Sequence, residues 1–238
     1  MESRFVLLAL GLAVLLFSGC ISIDYTQKVD REGNSVITQN VDLSALLSAN
    51  QDFASSESQL SGACSNISQS GNDSQCSYTS GVMTITKSVK ASDNLYIFNK
   101  SSEFPYIIYT LEVRKVPQIA SSEGLSSGAG SAPQTDSDFK DPSAKLGAAT
   151  LKAAGASMTY SVEMPGEITS AENGDLVTDE SGKKIAKYDV LDLMTEGEYI
   201  VVKSKELDMV LLSIVGGGIV LLIGGIAVAV VLMKAMKK

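Results

Sequence analysis

Side chains able to do chemistry are few in this chain of 238 residues, and none of them is His. That removes imidazole-based triads, imidazole bases and the commonest metal ligand. Asp136, Asp138 and Asp141 offer clustered carboxylates, but the Gly and the final Glu of a calcium-binding loop are absent around them. Glu196 and Glu198 flank Gly197 in a turn-like stretch. Asp189 and Asp192 would point to opposite faces of a strand, so a working acid–base pair is unsupported. The Gly216-Gly217-Gly218 run lies inside an apolar segment and cannot cradle a phosphate. No spacing singles out a Ser–Lys pair or any other activated nucleophile. The residues imply a non-enzymatic protein with no cofactor and no metal.

The three Cys carry more information. Cys20 ends the run Phe17-Ser18-Gly19-Cys20, behind 13 apolar residues from Phe5 to Phe17 and the short charged start Met1-Glu2-Ser3-Arg4. This is the layout of an export signal, expected over residues 1–19. Thirteen helical residues reach about 20 Å against a hydrocarbon core of about 30 Å, so a spanning helix is the weaker reading. The last four residues resemble a lipobox, with Phe where Leu is usual, and lipidation of Cys20 is expected; the alternatives are an uncleaved anchor or a chance Cys. That leaves Cys64 and Cys76, with 11 residues between them rich in Ser, Asn and Gly. A disulfide is expected there in an oxidising compartment, since a metal pair would lack two further ligands. Asn66, Asn72 and Asn99 open Asn-x-Ser sequons and are candidate glycosylation sites on an exported chain; two of them fall between Cys64 and Cys76, so that loop is expected to be exposed.

Residues 209–233 contain no charge and are followed by Lys234, Lys237 and Lys238. Twenty-five helical residues reach about 37 Å, enough to cross a bilayer. The basic tail, residues 234–238, is therefore expected in the cytoplasm and the bulk of the chain outside a cell membrane crossed once. Within the span, Ser213, Gly217 and Gly224 recur at spacings of four and seven, as do Gly218, Gly225 and Ala229. Small residues on one helix face permit close helix packing, so self-association or a membrane-protein partner is one reading; a tolerant single span is the other.

Residues 21–208 hold 15 Lys and Arg against 26 Asp and Glu, a net of −11. Such a body is not a nucleic-acid partner, and its charge gives it no attraction to anionic headgroups.

The elements that would position these groups are mostly strands. Ile21, Ile23 and Tyr25 alternate with polar residues, and a turn over Asp30–Asn34 leads to a return strand through Val36 and Thr38. Asp42 or Ser44 could cap a helix carrying Leu43, Leu46, Leu47 and Phe53. Strands are expected near 82–86, at 106–116 and from Met158 to Met164, then at 185–193 and 198–204. Residues 118–143 are dominated by Ser, Gly, Ala and Pro, with Ile119, Leu125 and Phe139 the large apolar exceptions. A flexible linker or long exposed loop is expected there, between an N-terminal part (20–117) and a C-terminal part (144–208). Residues 145–154 are Ala-rich and fit a short helix. Tyr96, Phe98, Phe104, Tyr106 and Tyr109 form the one aromatic concentration: core packing is the plain reading, and the wall of an apolar ligand cavity the sharper one.

Cys20 opening a strand and hairpin, the strand Met158–Met164 ending in Pro165-Gly166, the Asn173-Gly174 turn, Tyr188-Asp189-Val190 and the span from Met209 together resemble the LppM family of surface lipoproteins. Tyr188 stands where that family usually has Trp, and the Cys64–Cys76 segment and the long linker depart from its pattern. The resemblance implies an α+β fold, a curved antiparallel sheet packed by one or two helices and followed by a C-terminal transmembrane helix. It also implies an extracytoplasmic module binding lipid or glycolipid, with membrane lipids as partners. An interaction or assembly subunit of a membrane or cell-envelope complex is the alternative.

Overall fold

A computed structural model describes residues 22–44, 54–69, 73–93, 95–115, 139, 142–153, 155–218 and 224. The alternation at the start of the body makes β1 (Ser22–Val29), which buries Tyr25 and Gln27 on its inner face. Through the turn at Asp30–Asn34 it pairs antiparallel with β2 (Ser35–Asp42). Helix α1 (Ala54–Gln69), β3 (Ser74–Thr79) and β4 (Val82–Val89) follow. A single 3-10 turn, Ala91–Asp93, leads into the hairpin of β5 (Tyr96–Glu103) and β6 (Tyr106–Val113).

Helix α2 (Pro142–Ala153) precedes β7 (Ser157–Glu163), β8 (Glu167–Glu172), β9 (Asp175–Thr178) and β10 (Lys184–Asp189). Helix α3 (Val190–Glu196) and β11 (Ile200–Leu207) close the body. Residues 209–218 are helical. That helix starts at Asp208, whose carboxylate accepts from the Leu211 N–H at 3.0 Å and whose carbonyl accepts from the Leu212 N–H at 2.9 Å.

The fold is α+β, as expected, but its sheet is neither single nor wholly antiparallel. One seven-stranded sheet has the order β3-β4-β2-β1-β7-β10-β9, and a second has the order β5-β6-β11-β8. β1 and β7 pair in parallel from Ser22↔Ser157 to Lys28↔Glu163. Parallel neighbours need a long crossover, and here everything from β2 to α2 lies between them. Strands from before and after residues 118–143 therefore sit side by side in both sheets: β1 with β7, and β6 with β11. The sheets share one apolar core, to which Tyr25, Ile37, Ile85 and Tyr160 come from the first and Tyr109, Leu111, Ile168 and Val202 from the second.

Three expectations change with the tertiary context. The strand expected at 185–193 stops at Asp189, whose carboxylate accepts from the Asp192 N–H at 3.1 Å and caps α3; Gly197, at φ +75°, ends it. A run of apolar residues reads alike in a strand and a buried short helix, and the Asp cap decides between them. Phe139, expected in a flexible linker, is fully buried, and its N–H donates to the Arg114 carbonyl at 3.2 Å. The segment around Cys64, expected as an exposed loop, is helix α1, lying against β3 with Cys64 buried. Residues 45–53, 116–138 and 219–223, and the export segment 1–19, lie outside the described residues.

Candidate functional site

The β1–β2 turn is built by one side chain. The Asp30 carboxylate accepts from the Glu32 and Asn34 N–H groups at 3.0 and 2.8 Å and from Asn34 Nδ2 at 3.0 Å. Gly33 completes the turn at φ +84°, a left-handed conformation that favours Gly. A Cβ there would stand 2.4 Å from the Phe98 ring, and the Gly33 carbonyl accepts from the Tyr96 hydroxyl at 2.7 Å. The second sheet therefore seats the turn.

Below the turn lies a buried polar chain. Tyr160, fully buried, donates its hydroxyl to Gln27 Oε1 at 2.8 Å, and Gln27 Nε2 donates to Ser35 Oγ at 3.2 Å. Each buried group thus has a partner.

Arg31 leaves this turn toward the last strand. Its Nε donates to Glu206 Oε2 at 2.9 Å while Nη2 pairs with Oε1, the two-pronged geometry that planar guanidinium favours. The carboxylate holds the Arg31 guanidinium above its usual value, first by the hydrogen bond and then by charge. Tyr109 donates to Glu206 Oε2 at 3.2 Å, and burial, followed by that carboxylate's charge, raises its phenol above the ordinary range.

Beside the turn is an open basin of about 530 Å³ lined by Lys28, Asp30, Asn34, Ser35, Val36, Asp73, Ser88, Val89, Lys90 and Asp93. Lys28 also pairs with Glu163 at 3.0 Å. Two ammonium groups, three carboxylates, an amide, two hydroxyls and a Val floor make a surface that can grip a polyhydroxylated or zwitterionic group by hydrogen bonds. Among the described residues no group of three or more His, Cys, Asp or Glu could hold a metal ion.

The five aromatics expected to wall an apolar cavity do not line this basin. Tyr96 and Tyr109 are buried in the core. Phe98 stacks on Tyr109, ring centroids 5.9 Å apart, and packs over Gly33. Phe104 and Tyr106 lie at the β5–β6 turn, Phe104 66% exposed. Polar residues line the basin instead because it opens at a strand end, where side chains of both sheet faces meet a charged turn. The Asp30–Asn34 turn motif was the only sequence signal for it.

Cys64 and Cys76 form a disulfide between α1 and β3, with Cα atoms 5.2 Å apart. Asn66 is exposed on α1 and Asn99 exposed on β5; Asn72 and Cys20 lie outside the described residues. Ser213, Gly217 and Gly218 are exposed on the 209–218 helix, as is Gly224 beyond it, and Gly225 and Ala229 lie outside the described residues. A Cβ at Gly217, Gly218 or Gly224 would meet nothing within 4 Å. Among the described residues no helix is long and apolar enough to cross a membrane; the expected span continues past the described helix.

No protein-family profile matches this chain, and no curated protein does. Among solved structures, it is similar to the folded domain of the Mycobacterium tuberculosis LppM protein determined by NMR, with 8% sequence identity and a TM-score of 0.32 over 81% of this chain and 94% of that one. The likeness is a distant structural resemblance and not membership of that family.

Proposed function

We propose that this protein is a cell-surface, membrane-anchored lipoprotein whose body, held outside the membrane, is a non-enzymatic module binding lipid or glycolipid. The basin beside the Asp30–Asn34 turn carries the reading. Its lining is polar and of both signs, which suits the polar head of a glycolipid rather than an acyl chain. It opens beside a turn tied through Arg31 to Glu206, two residues before the helix that starts the expected span. A ligand head in the basin is therefore close to where the chain enters the bilayer.

The test uses the full chain in phosphatidylcholine nanodiscs with and without a glycosyl diacylglycerol. Amide exchange at residues 28–36 and 88–93 is expected to slow only with the glycolipid. Val36→Trp, which fills the basin from an exposed position, is expected to abolish that protection. Unchanged exchange in both discs sinks the reading.

The alternative, an assembly subunit, draws on β9. All four residues of this edge strand are exposed, Leu176 and Val177 included, and an unpaired edge accepts a strand from another chain. Cross-linking in intact membranes is expected to recover a partner that Val177→Pro loses; a monomer alone counts against it.

A further inference from the structure

We propose that the Phe104-Pro105 tip of the β5–β6 hairpin dips into the bilayer interface beside the start of the span, so that the body is docked on the membrane rather than merely tethered to it. This rests on the membrane-anchored reading above.

The tip and the helix are joined by backbone. The Asp208 N–H donates to the Pro105 carbonyl at 2.9 Å, and Asp208 caps the 209–218 helix. Phe104 is thus one residue from the acceptor, and Met209 one residue from the donor. Tyr106 lies opposite Leu207 in the β6–β11 ladder. Phe104, Leu207, Met209 and Val210 are respectively 66%, 47%, 70% and 70% exposed. Large apolar side chains gathered this way at one point of an acidic body mark a contact surface.

Sequence continuity names the occupant. The patch runs directly into residues 209–233, which carry no charge and end at Lys234. An aqueous protein partner would have to share the spot with lipid headgroups, whereas a bilayer covers the helix start and the tip together. Lys205 holds its ammonium 5.2 Å from the Tyr106 ring centroid. An amphipathic ring with a basic neighbour is the side-chain pairing that settles at a membrane–water boundary.

The chain has no Trp, so each substitution to Trp gives a single indole, excited selectively over the tyrosines. Full-length Phe104→Trp, Leu212→Trp and Leu146→Trp chains in nanodiscs are compared with and without brominated phosphatidylcholine. Leu212 is on the helix and Leu146 exposed on α2. Brominated lipid is expected to cut Phe104→Trp and Leu212→Trp emission roughly twofold or more, as for interfacial and spanning rings, and to leave Leu146→Trp unchanged. Quenching at 212 but not at 104 overturns the docked tip alone. No quenching at 212 overturns the membrane reading beneath it. Equal quenching at 104 and 146 overturns the tip as a specific contact.

Discussion

Arg31 and Glu206 stand 175 residues apart in the chain and grip each other with two parallel bonds, joining the first hairpin to the last strand. Glu206 also accepts from Tyr109, so its removal strips two donors of their partner. Glu206→Ala is therefore expected to lower thermal stability more than Arg31→Ala, and Arg31→Ala only slightly, since an exposed ion pair is worth little. Thermal melts of the two single variants check this; a larger loss for Arg31→Ala contradicts it.

The glycine substitutions follow the hardness of the neighbour. A Cβ at Gly166 would stand 2.3 Å from the Lys205 carbonyl oxygen at φ +70°, whereas at Gly33 it would meet the Phe98 ring. Gly33→Ala is expected to cost about 1–3 kcal/mol from its backbone conformation, with the Phe98 ring forced to shift as well. Gly166→Ala is expected to cost more, because backbone cannot swing aside. Denaturant melts rank the variants.

Tyr160→Phe leaves the buried Gln27 oxygen without a donor and is expected to cost about 1–3 kcal/mol. Adding Gln27→Leu removes the orphaned amide and is expected to recover part of that loss. A double variant no more stable than Tyr160→Phe alone would contradict this.

Burial raises the phenols of Tyr25, Tyr160 and Tyr188, Tyr25 to about 12 from an ordinary 10.0. The folded state holds these protons where the unfolded state has released them. Their contribution to stability is accordingly full below pH 10 and is lost as pH rises above it, that of Tyr25 through about 12 and those of Tyr160 and Tyr188 higher still. Absorbance of phenolate against pH is expected to show these groups ionising only as circular dichroism reports unfolding; early ionisation of all tyrosines contradicts it.

A lipid on Cys20 has a geometric consequence. β1 extends about 25 Å from the Arg31 turn back to Ser22, so Ser22, which would follow the lipidated residue, and Glu206, which precedes the expected span, stand near opposite ends of that strand. The lipid and the span can enter one bilayer only if β1 lies along its surface. Ser22→Trp in the full chain is expected to be quenched by brominated lipid, and the added Cys20→Ala substitution is expected to relieve it. Quenching that persists without Cys20 removes the lipid as its cause.

Local chemistry was legible in the residues themselves. Alternation at Ile23 and Tyr25 and at Met158–Met164, the Asp30–Asn34 and Asn173-Gly174 turns, and the Ala-rich helix before β7 are each specified by neighbours within a few residues. The Cys64–Cys76 pair was legible by elimination. What only the tertiary structure decided is non-local. The parallel pairing of β1 with β7 joins residues 135 apart in sequence, and the burial of Phe139 likewise depends on residues distant along the chain, Arg114 among them. The basin lining is drawn from β1, β2, β4 and the turns around them, and of these only the Asp30–Asn34 turn signalled the site. Periodicity reports which face of an element is apolar, but not which other element covers it.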